Sequence, residues 1–387
     1  MRERGMARVV LVPDSFKESL SALEAAEAMA DGVCAAIPAA SCSLVPMADG
    51  GEGTTEAVAA ALGAETLTLT VTGPVGEPVQ AQYAWVRGQR IAVIEMAAAS
   101  GLGLVAAEQR NPMLTTSYGT GELMAAAAKR GARRIIVGLG GTATVDGGAG
   151  ILQAMGAALL KADGKAIARG GAGLAALERI QMDGLRMIQG ECQVELACDV
   201  DNPLLGAQGA AAVFGPQKGA TPEMVAELER GLERLASALE AATGRDVRQA
   251  PGAGAAGGAS GALMAACRAE MQSGGKLVAE LVGLEEAIAD ADLVLTGEGR
   301  FDAQTLHGKL PAVVAEIARR HGKPVVVLAG SVGEVPEAKL REMGICMARS
   351  ITPPGTKLED ALRGAAENLR RAAERVAGEW YGGRLAK

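Results

Sequence analysis

Histidine is almost absent from this chain. Only His307 and His321 occur in 387 residues, which excludes multi-histidine zinc sites and leaves general-base and triad chemistry few imidazoles to draw on. A metal that takes part must then be held by carboxylates, hydroxyls, phosphates and water, a donor set that suits magnesium. Aromatics are scarce too, with two Trp, three Tyr and three Phe, too few to stack bases along a nucleic acid. A net charge of −7 removes the basic face such a partner needs. A small-molecule ligand is expected instead. No apolar run approaches the roughly 20 residues that span a bilayer, and Met1-Arg2-Glu3-Arg4-Gly5 leads into a short strand rather than a signal-peptide core. The expectation is a soluble, cytoplasmic protein with no membrane partner, and homo-oligomerisation is left open. Cys34, Cys42, Cys192, Cys198, Cys267 and Cys346 show no C-x-x-C spacing. They stand mostly in apolar or helical contexts, the pattern of buried reduced thiols rather than of a disulfide framework. No G-x-x-x-x-G-K-[ST] occurs, so any nucleotide is held without an ordinary P-loop.

What is present is a repeated strand exit. Leu293-Val294-Leu295 runs into Thr296-Gly297-Glu298-Gly299-Arg300-Phe301-Asp302 and on to Gln304-Thr305-Leu306-His307-Gly308-Lys309. Val9 to Val12 runs into Pro13-Asp14-Ser15-Phe16-Lys17-Glu18-Ser19, Ser43 to Val45 into Asp49-Gly50-Gly51-Glu52-Gly53-Thr54, and Ile135 to Val137 into Gly138 to Gly148. In open α/β sheets ligands bind beyond the carboxyl ends of strands, so the four exits are expected to form one composite site. With 49% hydrophobic residues the chain has material for two domains. Ser21-Ala22-Leu23-Glu24 is a capping box that opens a helix before Pro38. Alternation over Thr66 to Thr72, with further strands at Tyr83 to Val86 and Ile91 to Met96, predicts an antiparallel or mixed sheet. Helices are expected at Gly121 to Lys129, Gly150 to Leu160, Pro222 to Ala242 and Ser260 to Val282, and a strand at Val194 to Cys198. The run from Pro251 to Gly258 fits a flexible linker slightly better than an ordered phosphate loop. A βα rhythm at both chain ends, interrupted by a differently patterned middle, predicts an α/β fold with an inserted domain.

The candidate groups admit more than one reading. Lys17 is a clamp for phosphate or carboxylate, with Ser15 and Ser19 as hydroxyl donors, or Asp14 and Ser15 are a turn and Lys17 is solvated. Asp49 to Thr54 exposes amides at a helix N-terminus, where the dipole favours an anion. Asp199-Val200-Asp201-Asn202-Pro203 holds magnesium through Asp199 and Asp201, or is an Asx-rich turn. Lys218 points at phosphate or is a solvated loop lysine. Gly138-Leu139-Gly140-Gly141-Thr142-Ala143, with Asp163 about twenty residues on, matches a dinucleotide fingerprint. The prolonged loop Thr144-Val145-Asp146-Gly147-Gly148 argues against it and supplies groups suited to an anion or hydroxyl substrate. His307 is read as structural or substrate-positioning, and His321 as a helix-end cap.

Seven motifs in order resemble the bacterial type I glycerate kinase family: Pro13 to Lys17, Met47 to Thr54, Thr116-Ser117-Tyr118-Gly119-Thr120-Gly121, Gly140 to Gly148, Cys198 to Leu204, Phe214 to Gly219 and Thr296 to Asp302. Val145 stands where members usually carry Asn. The resemblance covers nearly the whole chain and implies ATP-dependent, magnesium-assisted phosphorylation of D-glycerate to 2-phosphoglycerate. It also implies two α/β domains: a flavodoxin/Rossmann-like parallel-sheet domain built from both chain ends (1–68 plus 286–387) and an inserted α/β domain with a mixed sheet (69–285), with the active site in the cleft between them. On this reading Lys17 and Arg300 clamp phosphate or carboxylate, and Asp49 or Asp302 is the general base. Asp199 and Asp201 hold the metal. Asp14, Ser15, Ser19, Gly50, Gly51, Glu52, Thr54, Gly140, Gly141, Thr142, Thr144, Asp146, Gly147, Gly148, Lys218, Glu298, Gln304 and Lys309 bind substrate or nucleotide. Two alternatives are an NAD-dependent hydroxy-acid dehydrogenase using the Gly138 loop and a non-catalytic glycerate or nucleotide sensor.

Overall fold

A computed structural model describes residues 6–185, 192–303, 305, 306 and 308–383. Gln304 and His307, both singled out above, lie outside the described residues. The chain divides into two compact units. The first comprises Met1–Asp49, Glu56–Gly63 and Gly275–Lys387, the second Gly50–Thr55 and Ala64–Gly274. These divisions differ from boundaries at 68 and 286: the strand Glu65–Thr72 belongs whole to the second unit, because all eight of its residues pair with Pro78–Val86.

The first unit holds a five-stranded sheet in the order Ser41–Leu44, Arg8–Pro13, Leu293–Phe301, Val325–Val332, Ile345–Ser350, every neighbouring pair parallel. Counted along the chain within this unit, the order is 2-1-3-4-5, that of a flavodoxin-like doubly wound sheet. Alternation in one strand shows why helices cover both faces. Val326 and Leu328 pack with Leu11, Met29, Leu369 and Val376, whereas Val327 and Ala329 pack with Phe301, Ala315 and Ile345. On the first face helix Ala22–Ala36 begins with the expected capping box: Ser21 Oγ accepts from the Glu24 amide and Glu24 Oε2 from the Ser21 amide. Its Gly32 lies against the backbone of Arg370 and Glu374 in helix Ala365–Tyr381, and a Cβ there would collide with both.

The second unit has a six-stranded sheet, Glu270–Gln272, Gln193–Ala197, Arg134–Gly138, Ile91–Glu95, Pro78–Val86, Glu65–Thr72. Its first four strands are parallel to one another and its last two neighbouring pairs are antiparallel, so that Pro78–Val86 alone runs against the rest, the mixed sheet expected from the alternating Thr66–Thr72 segment. Three sequence-based expectations are corrected here. Helix Ala149–Ala154 stops early, Gly156 takes φ 101°, and Ala158–Leu160 becomes a strand. The helix expected over Ser260 to Val282 is two, Ala259–Cys267 and Gly274–Leu281, because Arg268 turns left-handed (φ 56°) and Glu270–Gln272 joins the sheet. The Pro251 to Gly258 run is no linker. Gly252 to Ala255, Gly257 and Gly258 are buried, and Gly257, at φ 67°, lies against the Thr144 carbonyl where no side chain fits.

Candidate active site

In the first unit the carboxyl end of strand Arg8–Pro13 is tied to the neighbouring strand Leu293–Phe301 beyond the regular ladder. The Asp14 amide donates to the Gly297 carbonyl at 2.8 Å, and Thr296 Oγ1 donates to the Val12 carbonyl at 2.7 Å. Between these two strands the sheet order reverses, the switch point where doubly wound folds take ligands. Asp14 follows the end of strand Arg8–Pro13, whereas Glu298 lies within strand Leu293–Phe301, paired with Ala329, so this strand runs on past the exit at Thr296 expected from the sequence. Burial lifts the Asp14 carboxyl to about 7, and the Asp49 and Glu298 carboxylates add to the rise, against the Ser15 amide and Lys17. Glu298 is buried and accepts from Thr305 Oγ1 at 2.7 Å. Burial lifts it to about 7 as well, with Asp302 and Asp49 adding and Thr305 and Lys309 opposing. The structure thus brings Asp14, Lys17, Asp49, Glu298, Asp302 and Lys309 into one electrostatic cluster. Lys17, Lys309 and Arg300 are exposed around it.

Other expected residues have local duties. Arg300 Nε donates to Asp302 Oδ2 at 3.0 Å, so this carboxylate already has a cation bound. Ser15 donates its amide to Asp14 Oδ1 at 2.6 Å. Ser19 Oγ donates to the Phe16 carbonyl at 2.9 Å, bracing a tight loop in which Glu18 has φ 65°. His321 caps helix Leu310–Arg320 and places Nε2 3.0 Å from Glu285 Oε1, a specific partner beyond the helix dipole.

In the second unit the glycine turn at 50–55 meets an internal carboxylate. Glu95, buried at the end of strand Ile91–Glu95, accepts from the Thr55 amide at 2.6 Å and the Gly53 amide at 3.2 Å. Two of the amides expected to greet an anion are therefore already taken. Burial raises the Glu95 carboxyl, and these bonds pull it back. Thr54 donates its hydroxyl to the Gly51 carbonyl at 2.7 Å. Gly51 is half-buried, Gly50 buried and Glu52 exposed.

The loop after Arg134–Gly138 is organised from inside. Asp146 is wholly buried; its Oδ2 accepts from the Ser117 amide (2.8 Å), Ser117 Oγ (2.8 Å) and the Gly150 amide (3.2 Å), and its Oδ1 from the Gly148 amide (3.1 Å). Burial pushes this carboxyl up and the four donors oppose the rise. Lys218 is also buried, not solvated: its Nζ donates to Thr142 Oγ1 at 3.0 Å and the Thr144 carbonyl at 2.8 Å. Burial pulls its ammonium down to about 7, with Asp146 opposing. Thr142, Thr144, Asp146, Gly147 and Gly148 are therefore interior, and only Gly140 and Gly141 of this loop reach the surface. Val145 is fully buried in the apolar core and makes no polar contact.

Asp199 and Asp201 are exposed in the loop after Gln193–Ala197. Among the described residues no group of three or more His, Cys, Asp or Glu side chains is gathered around a metal position. A pair of exposed carboxylates still matches magnesium, which commonly takes one or two of them and keeps several waters and substrate phosphates. The dinucleotide reading fails on geometry: no helix starts until Ala149, and Asp163 is an exposed residue paired with Lys165 at 3.6 Å.

Sequence reasoning missed one organising residue and underweighted two. Glu95 had a signal, an acid closing the apolar run Ile91 to Ile94. Ser117 stands in the Thr116 to Gly121 motif, but its role was not readable there, since its partner Asp146 is 29 residues away. Thr305 lies in the strand exit first noticed, but its bond to Glu298 depends on the loop folding back.

Acids and cations at the exits of a doubly wound sheet define an α/β enzyme for a small polar substrate. The glycerate kinase family profile matches residues 9–381. A glycerate kinase of Bacillus subtilis (strain 168) is 47% identical over 370 residues, 96% of this chain and 97% of the relative. Glycerate 2-kinase of Escherichia coli (strain K12) is 47% identical over 370 residues, with the same coverages. A crystal structure of a Salmonella typhimurium LT2 protein assigned as glycerate kinase 2 has a TM-score of 0.90 at 47% identity, covering 99% of this chain and 100% of that one. The chain belongs to the glycerate kinase family. Nothing in these likenesses supports a dehydrogenase or a sensor.

Proposed function

We propose that the protein transfers the γ-phosphoryl group of ATP to the 2-hydroxyl of D-glycerate. The observation that carries this reading is the unbroken family match over residues 9–381, joined by a 47% identical relative named glycerate 2-kinase. Phosphoryl transfer asks the protein mainly to align the nucleophile and to neutralise charge spread over the phosphate oxygens. In this proposal Lys17, Lys309 and Arg300, exposed around the strand exits, meet the phosphate or the glycerate carboxylate. The Gly140–Gly141 turn, half-buried at Gly140 and exposed at Gly141, donates amides to an anion.

Asp14 is the group we assign to accept the proton of the attacking hydroxyl. It stands at the switch point, and a carboxyl held at about 7 suits a base working near neutral pH. Asp302, occupied by Arg300, is set aside, and Asp49 acts beside Asp14 as the charge that keeps its proton affinity high. Asp199 and Asp201 are the residues that would hold magnesium, which supplies charge neutralisation at the phosphates. In this proposal the reaction runs in the cytoplasm, where ATP is available. Among the described residues no helix is long and apolar enough to cross a membrane.

Purified protein with ATP, magnesium and D-glycerate tests the reading by ADP release and phosphorus NMR of the product. A 2-phosphoglycerate signal is expected. A 3-phosphoglycerate signal would keep the kinase and overturn the position, and absence of ADP release would overturn the activity.

A further inference from the structure

The chain holds a thiol pair that the kinase reading leaves unused. Cys34, in helix Ala22–Ala36, and Cys42, in strand Ser41–Leu44, bring their sulfur atoms to 3.9 Å. Between them the chain turns tightly: the Ile37 amide closes the helix on the Val33 carbonyl, and the Ala40 amide donates back to the Ile37 carbonyl at 2.9 Å. Strand Ser41–Leu44 is the edge of its sheet, so the pair lies at the margin of the core rather than within it. Cys34 is exposed and Cys42 half-buried. These facts correct the expectation of mostly buried thiols: only Cys192 and Cys267 of the six are buried.

We propose that Cys34 and Cys42 form a modification site that closes reversibly into an intramolecular disulfide when the oxidant is a low-molecular-weight disulfide. Exposed Cys34 attacks first. As a thiolate it displaces one thiolate from the oxidant and forms a mixed disulfide with the other half. Cys42, losing its proton to solvent, then attacks the Cys34 sulfur, forming the Cys34–Cys42 bond and releasing the second half as a thiol. Two protein thiols are oxidised, and one disulfide is reduced to two thiols. The order follows from surroundings, because burial pushes the Cys42 thiol up to about 12, with Cys34 adding to the rise, and a group so reluctant to ionise is a poor first nucleophile. Contact between the sulfurs makes the resolving step intramolecular, so the mixed disulfide does not accumulate. This inference stands apart from the kinase reading.

The test needs only the full chain. No Lys or Arg lies between Lys17 and Arg87, so trypsin leaves both cysteines, and no other cysteine, in the peptide Glu18 to Arg87. Exposed Cys346 falls in the peptide Glu342 to Arg349 and reports on the oxidant. Reduced protein is treated with oxidised glutathione, raised until Cys346 carries glutathione, then alkylated with N-ethylmaleimide, digested and weighed. The expected result is a Glu18 to Arg87 peptide lighter by two hydrogens and free of maleimide and glutathione, with dithiothreitol reversing the loss. Cys42→Ser should then trap glutathione on Cys34, while Cys34→Ser leaves Cys42 open to maleimide alone. A wild-type peptide carrying two maleimides, or a stable glutathione, once Cys346 is modified, overturns the proposal. Glutathione trapped on Cys42 in Cys34→Ser, but none on Cys34 in Cys42→Ser, overturns the order of attack.

Discussion

The Asp14 amide donates to the Gly297 carbonyl at 2.8 Å, so the first strand stays joined to the strand Leu293–Phe301 as it leaves the sheet. These segments are 284 residues apart in the analogous Thr296–Val12 bond. Their pairing sets Asp14 and Glu298 on the two sides of one switch point, where burial, with repulsion from Asp49 adding, lifts both carboxyls to about 7.

Asp14→Asn keeps the shape of the side chain and removes its basicity. Steady-state kinetics should show kcat falling by about 100-fold or more, the usual contribution of a general base, with KM for glycerate nearly unchanged. A kcat equal to wild type would remove Asp14 from that role.

The same carboxyls tie stability to pH. Each binds its proton more tightly in the folded chain than at the ordinary values of 3.8 for Asp14 and 4.5 for Glu298. Their stabilising contribution is therefore complete below those values and is lost as pH climbs through about 7. Urea midpoints measured across this range should fall less steeply with rising pH in Asp14→Asn/Glu298→Gln than in wild type. Identical slopes would show that neither group is perturbed.

Asp146→Ala removes an acceptor shared by two Ser117 donors and two glycine amides. Leaving buried donors unpaired beside a buried lysine should cost about 3–5 kcal/mol. Denaturant unfolding followed by tryptophan fluorescence can measure it, since Trp85 is in the same unit. A loss under about 1 kcal/mol would mean that the loop is not held by this carboxylate.

Glu95 already satisfies the Gly53 and Thr55 amides. Glu95→Gln should lower stability by about 1 kcal/mol, through loss of a charge at a helix start, and should leave KM for ATP and glycerate within about twofold. A KM for ATP altered tenfold or more would instead show that this turn holds phosphate.

How much of this was legible in the chain depends on the range of the interaction. The capping box at Ser21 and Glu24 spans three residues, and its two halves can be recognised together. The split of the Ser260 to Val282 helix could not be read, because the apolar spacing continues through Arg268 and only sheet pairing of Glu270–Gln272 with Glu195–Ala197 breaks it. Pro251 to Gly258 has a linker's composition, yet its small residues let the backbone pack against Thr144 and Pro203.

By itself the sequence determined the chemistry available: two histidines, strand exits carrying Asp14, Asp49, Glu298 and Arg300, and an ordered set of motifs that the family profile matches. Tertiary structure alone decided which of those groups face solvent and which support the fold. Lys218 and Lys17 are the same residue type in glycine-rich or turn-rich settings, but one is buried on Thr142 and Thr144 and the other is exposed. Glu95 and Ser117 gained their roles only when distant amides and Asp146 were brought to them. Local patterns encode side-chain chemistry and secondary structure; desolvation and hydrogen-bond partners across tens or hundreds of residues arise only in the folded chain.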